Sequence, residues 1–208
     1  MDILNNLTTI SGDKMGNYRV ADQCLADPAL LAEIESGCRA KDGKTAADCA
    51  EVFTEVAKQK PELVVPYAAS VIALTRYKNN RARWEGMHAL ALIAGLIPDQ
   101  IEGLLPQLQE TILHNESVIV RDGAVDSVAN YAASSPEAAR RAYPILVQAL
   151  HVWDSHHAGH ALRGLANVLG QAPELSAEIS AHADEFTSHK SGAIQKEARR
   201  VARLAAGK

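Results

Sequence analysis

The chain is poor in aromatic residues, which make up 4% of its 208 positions. It also lacks a useful number of cysteines, a strong net charge and any long apolar run. Two Phe, two Trp and five Tyr cannot fill a β-sandwich core, whereas the abundant Ala, Leu, Val and Ile suit closely packed helices. The three cysteines (Cys24, Cys38 and Cys49) are odd in number and lack metal-type pairing at short spacing, which argues against a disulfide framework and for a reducing cytoplasm. The N-terminal MDILNNLTTISGDK has no basic segment leading into an apolar stretch, so no secretory signal is expected. No apolar run is long enough to span a bilayer, and no membrane association is expected. A net charge of −4 gives no global attraction to nucleic acid or anionic lipid. Enzyme signatures are missing too: there is no Gly-rich phosphate loop, no G-x-S-x-G elbow, and no His-x-Glu combined with Cys-x-x-Cys. No cofactor is expected.

What the sequence does have is a recurring punctuation mark. Pro61-Glu62, Pro98-Asp99, Pro136-Glu137 and Pro173-Glu174 follow one another at intervals of 37, 38 and 37 residues. Proline suits the first helical position, where its missing N–H would be unpaired anyway. An acid beside it favours the positive end of the helix dipole. A period of this size is the signature of a stacked helical array. Each proline opens a first helix of about four turns, followed by a polar turn and a second helix. The turns are Lys78-Asn79-Asn80, Asn115-Glu116-Ser117, Asp154-Ser155 and Lys190-Ser191-Gly192.

Equal offsets align the second helices into columns. Phe53, Leu90, Val128 and Leu165 form one, and Val56, Ile93, Tyr131 and Val168 the next. Cys49, Gly86, Ala124 and Ala161 form a column of small residues that permits close approach. In the first helices, Val71, Leu108, Leu146 and Ala183 correspond. No single pair could bury its own stripe, so stacking must do so. Upstream, Asp27-Pro28 opens a helix to about Arg39, and Thr45–Gln59 reads as its partner. Residues 1–26 read as an atypical first pair, split near Ser11-Gly12. Residues 192–208 read as a basic capping helix and tail, and residues 190–208 hold six Lys or Arg against one acid. The whole chain, 1–208, is expected to form a single domain.

The stretch Val120-Arg121-Asp122-Gly123-Ala124, continuing to Val128, resembles the Val-Arg-x-x-Ala-x-x-x-Leu core of HEAT repeats. Arg83 matches its arginine, while Ala46 and Ala158 depart from it. The resemblance covers roughly residues 28–206. It implies an all-α fold, a right-handed α-α superhelix (an armadillo-like solenoid) of about five HEAT-like helix pairs, with second helices lining a concave face. It implies no activity, because function on such a scaffold resides in its sites.

On that expected face, the exposed positions run Asp48, Glu51, Glu55; Glu85, His88, Leu92; Gly123, Asp126, Asn130; His160, Arg163, Asn167; and Lys196, Arg199, Arg203. The strip is acidic toward the N-terminus and basic toward the C-terminus. A charge-polarised face of this kind points to a non-catalytic scaffold for a protein or peptide partner of opposite polarity. Its expected binding residues are Glu51, Glu55, Glu85, His88, Asp126, His160, Arg163, Lys196, Arg199 and Arg203. The bland alternative is a set of solvated helix faces with charges paired between rungs, such as Asp126 with Arg163.

Trp84 near Asp122 and Asp126 supports a reading from another class. It resembles the HEAT-like alkylpurine DNA glycosylases, which implies a nucleic-acid-directed protein with an aromatic against the lesion and an acid assisting the departing base. The middle of the strip lacks the cations that a phosphate backbone demands, and Trp84 packed on a neighbouring rung is the expected outcome. His151, His156, His157 and His160 form the densest titratable cluster. His156 and His160 are four apart, but no acid or thiol on that helix completes a ligand set. They are read as ordinary, partly exposed histidines, and no metal is expected.

Overall fold

The computed structural model describes residues 2–207, and helices are the only regular elements among them. Met1 and Lys208, the last residue of the basic tail, lie outside the described residues. The chain divides into two compact units, one reaching to Ile93 and the other beginning at Ala94.

The first unit opens with a 3₁₀ turn (Ile3–Asn6) and two helices, α1 (Thr8–Ser11) and α2 (Gly16–Ala26). Gly12 lies between them at φ 75°, a left-handed position natural to glycine. Asp27 then caps the next helical segment, its side chain accepting from the Ala29 N–H, and α3 covers Leu31–Cys38. Asp42 accepts from the N–H groups of Lys44 and Thr45 and starts α4 (Gly43–Gln59) two residues earlier than the sequence suggests. The first helix after Pro61 is not continuous. Two 3₁₀ turns, Pro61–Leu63 and Val65–Tyr67, precede α5 (Ala68–Leu74). Pro66 explains the interruption, because a second proline five residues on removes an N–H while the helix is still starting. The unit closes with α6 (Asn80–Ile93). Helix α4 packs against both α2 and α6, with α3 against α4 and α5 against α6.

The second unit is more regular. It contains α7 (Pro98–His114) and α8 (Val118–Ala132), then α9 (Pro136–His151) and α10 (Ala158–Gln171), then α11 (Ser176–Glu185) and α12 (Gly192–Ala205). Pro98 and Pro136 sit at the first turn of their helices, and Ser117 and Ser135 cap the helices that follow them. Pro173 opens only a 3₁₀ turn before the shorter α11, so the four-turn expectation holds for α7 and α9 alone. Within this unit α8 packs on α10 and α10 on α12, each also holding its own first helix.

The columns read from the sequence are the core. Phe53, Leu90, Val128 and Leu165 are buried, as are Val56, Ile93, Tyr131 and Val168. So are Val71, Leu108, Leu146 and Ala183 of the first helices. Truncating one such Leu to Ala should cost about 2–5 kcal/mol. The small-residue column has a steric reason that is clearest at Gly86. A Cβ there would lie 2.6 Å from Leu74 Cβ and 2.9 Å from Leu74 C, so α5 and α6 touch backbone to backbone.

A candidate interaction face on the second helices

In the first unit the acidic residues are organised by Arg81 at the start of α6. Its Nη1 lies 2.6 Å from Asp48 Oδ1, and its Nη2 contacts Glu51 Oε2. Asp48, expected at an exposed position, is instead wholly buried (0% exposed), which corrects the first rung of the strip. Burial alone would penalise its charge. The Thr9 N–H at 2.6 Å, the Asn17 side chain and Arg81 outweigh that and hold its carboxyl below the ordinary value. Asn17, also buried, donates to Glu51 at 2.7 Å. The buried acid is therefore a fastener joining α1, α4 and α6. Nothing in the spacing of Asp48 revealed this, since its partners come from residues 9, 17 and 81.

Glu55 and Glu85 of the predicted strip are also engaged. Glu55 pairs with Lys58 at 2.6 Å. Glu85 lies 3.7 Å from His88 Nδ1. Burial opposes the Glu85 charge, but His88, Thr54 and the positive Arg81 more than offset it and lower its pKa. Trp84 is half-buried, and its shielded indole N–H finds no acceptor among the described residues.

In the second unit, Arg121 of the HEAT-like motif is buried at 3% exposure. Its Nε donates to His157 Nε2 at 2.7 Å, its Nη1 donates to the Asn115 carbonyl, and its guanidinium lies 3.8 Å from the centre of the Trp153 ring. Because Arg121 can only donate, His157 Nε2 must accept. The imidazole proton is then on Nδ1, which donates to Asp122 Oδ1 at 2.6 Å. His157 is wholly buried (0% exposed), which corrects its reading as a partly exposed histidine. Its position directly before Ala158, where the repeat arginine is missing, lets it meet the arginine of the preceding pair.

Trp153, Asp154 and Ser155 have φ values of 55°, 52° and 60°. Three successive left-handed residues without glycine are costly, at roughly 1–2 kcal/mol each. The Trp153 ring under Arg121 and its indole N–H donating to the Ile112 carbonyl at 3.0 Å hold this turn in place.

Toward solvent, His160 Nδ1 lies 2.8 Å from Asp126 and its Nε2 3.5 Å from Asp122. Burial works against the Asp122 charge, but the hydrogen bond from His157 and the nearby histidines lower its pKa. Arg163 reaches Asp126 only at 3.9 Å. The cations of α12 differ in kind. Arg199 donates to neutral acceptors, the Thr187 carbonyl and Gln195. Lys196, Arg199 and Arg203 are exposed, and none forms an ion pair among the described residues. The sequence-predicted residues thus fall into two groups. Glu51, Glu55, Glu85 and His88 lie in the first unit, with Trp84. Asp126, His160, Arg163, Lys196, Arg199 and Arg203 lie in the second, with Asp122.

Comparison with known proteins defines the class of this architecture. No protein-family model matches the chain, and no curated protein does. Among solved structures it is similar to a designed armadillo repeat protein in complex with the peptide (KR)4, at 18% identity and a TM-score of 0.74, covering 98% of this chain and 97% of that one. It is also similar to computationally designed armadillo repeat proteins for modular peptide recognition, at 16% identity and 0.70, covering 98% of each chain. A third likeness is to the archaeal HEAT-like repeats protein from Thermococcus onnurineus NA1, at 12% identity and 0.57, covering 92% of this chain and 93% of that one. The fold is a HEAT/armadillo-like helical-repeat solenoid. No helix is long and apolar enough to cross a membrane among the described residues.

Proposed function

We propose that this protein is a non-catalytic scaffold that binds a protein or peptide segment through its second helices. The observation that carries this is the imbalance of charge satisfaction. Glu51, Glu55 and Glu85 are engaged by Arg81, Lys58 and His88, whereas Lys196, Arg199 and Arg203 on α12 have no acidic partner among the described residues. Arg163 of the adjoining α10 adds a weakly held fourth cation. Exposed charges without partners set orientation and on-rate for a complementary segment. An acidic stretch of the partner therefore belongs on α10 and α12. The residual negative field of Glu51, Glu55 and Glu85, beside His88, suits a basic stretch. The designed neighbours that recognise peptides on this fold support the partner class. The same proposal treats residues 1–208 as one continuous domain closed by its C-terminal helix, for which a single cooperative unfolding transition is the expected signature.

Fluorescence anisotropy with labelled peptides tests this. A Glu-rich peptide should bind at moderate salt, a Lys-rich one more weakly, and the triple reversal Arg163→Glu, Arg199→Glu, Arg203→Glu should abolish the preference. Equal binding of both peptides, or no effect of the reversal, would contradict it. A duplex DNA probe in the same titration addresses the nucleic-acid alternative built on Trp84, Asp122 and Asp126. Tight, salt-steep DNA binding that weakens in Trp84→Ala would replace the scaffold proposal.

A further inference from the structure

We propose that His151, His182 and Glu185 form a binding site for one divalent transition-metal ion of the zinc class, with a fourth coordination position open to water. His151 ends α9, His182 lies in the last turn of α11, and Glu185 ends α11. One donor atom from each residue lies within 4.8 Å of the other two. Glu185 Oε2 is 3.8 Å from His151 Nε2, and Glu185 Oε1 is 3.5 Å from His182 Nδ1. Donors bound at about 2.0–2.2 Å to a tetrahedral ion stand roughly 3.3–3.5 Å apart. The widest separation, at most 4.8 Å, exceeds that spacing by no more than about 1.5 Å, which rotations of these side chains would close around an ion.

Three further features converge on the same point. His182 Nδ1 is shielded from solvent and makes no hydrogen bond among the described residues, with Glu185 Oε1 at 3.5 Å. The ligands come from the last turns of two helices, where the macrodipole is negative and favours a cation. Both imidazoles are braced by rings: His151 meets Phe186 at 5.6 Å and His182 edge-on at 6.3 Å, and Tyr143 lies 6.4 Å from His182.

The donor set of two imidazoles and one carboxylate suits zinc, nickel or copper and disfavours magnesium or calcium, which prefer oxygen. The histidines that look densest in the sequence are committed elsewhere, His157 to Arg121 and Asp122, and His160 to Asp122 and Asp126. A bound ion would clip α11 to the end of α9 and leave one position for water or for a donor from a partner.

Isothermal titration of the untagged, chelator-treated full chain with zinc chloride, in excess magnesium, tests the site. One ion should bind per chain, and His182→Ala and Glu185→Gln should each weaken binding at least tenfold while His160→Ala leaves it unchanged. Cobalt substitution should give the visible absorption of a four-coordinate ion in the wild type and lose it in Glu185→Gln. That variant is isosteric and half-exposed, so its fold, checked by circular dichroism, should be intact. Absence of saturable zinc binding, or binding in which His182→Ala and Glu185→Gln match the wild type, would overturn the proposal.

Discussion

Replacing Gly86 with alanine should destabilise the protein, whereas the same replacement at Gly103 should stabilise it. Both glycines lie inside helices, and alanine is favoured over glycine there by about 1 kcal/mol. At Gly103 a new Cβ meets nothing within 4 Å, so most of that gain should be realised. At Gly86 the Cβ would lie 2.6 Å from Leu74 Cβ, 2.9 Å from Leu74 C and 3.1 Å from Thr75 N. Two of these neighbours are backbone atoms, so no rotamer change relieves the clash and α5 must move. Overpacking of this kind costs about 1–3 kcal/mol, toward the upper end where backbone must shift. The net expectation is a loss of about 1–2 kcal/mol for Gly86→Ala. In a chain of this length that lowers the melting temperature by roughly 2–8 °C. Thermal and urea unfolding followed by far-ultraviolet circular dichroism would read both variants. A Gly86→Ala protein as stable as Gly103→Ala would refute the idea that the small-residue column exists to let helix backbones touch.

Asp48→Asn should cost about 2–3 kcal/mol, because it removes the charged acceptor of several hydrogen bonds in a buried place. Its carboxyl titrates lower in the folded than in the unfolded chain. The stabilisation it contributes is thus complete above the unfolded value of about 3.9 and is lost as pH falls through the lowered folded value. Wild type should lose more stability than Asp48→Asn over that acidic range; equal losses in parallel acid titrations would contradict the role given to the buried carboxylate. Arg121→Lys should destabilise by about 2 kcal/mol, since an ammonium cannot bond His157, hold the Asn115 carbonyl and stack on Trp153 at once. Urea unfolding would measure the loss, and tryptophan emission should change with it; unchanged stability would count against the network. Asp154→Gly should be stabilising by about 0.5–1 kcal/mol, because glycine carries no penalty at φ 52°. A loss in the same urea assay would mean that the Asp154 side chain outweighs the strain of its turn.

The repeat was legible because it is written locally. Proline at a helix start, capping Ser and Asp, and apolar residues at helical spacing each act within a few positions, and their recurrence gave the columns that are buried. The break after Pro61 was equally available, since Pro66 is visible in the sequence. Its consequence was missed because the other three repeats carry no second proline so soon. The face was less legible. Glu51 and Arg163 lie on the second helices as expected, but a helical wheel cannot tell a solvated acid from one that Thr9, Asn17 and Arg81 enclose, as they do Asp48. His157 was obscured for the same reason, its partners lying on α8. The grouping of His151, His182 and Glu185 joins residues over 30 positions apart on two first helices, and no short motif announces it.

The most direct test of the scaffold proposal is hydrogen-exchange mass spectrometry of the full chain with and without a saturating Glu-rich peptide. Added protection should concentrate on the second helices, above all α10 and α12 around Arg163, Arg199 and Arg203, and should vanish in the triple charge reversal. Protection confined to the first helices α7, α9 and α11, or unchanged by the reversal, would contradict it.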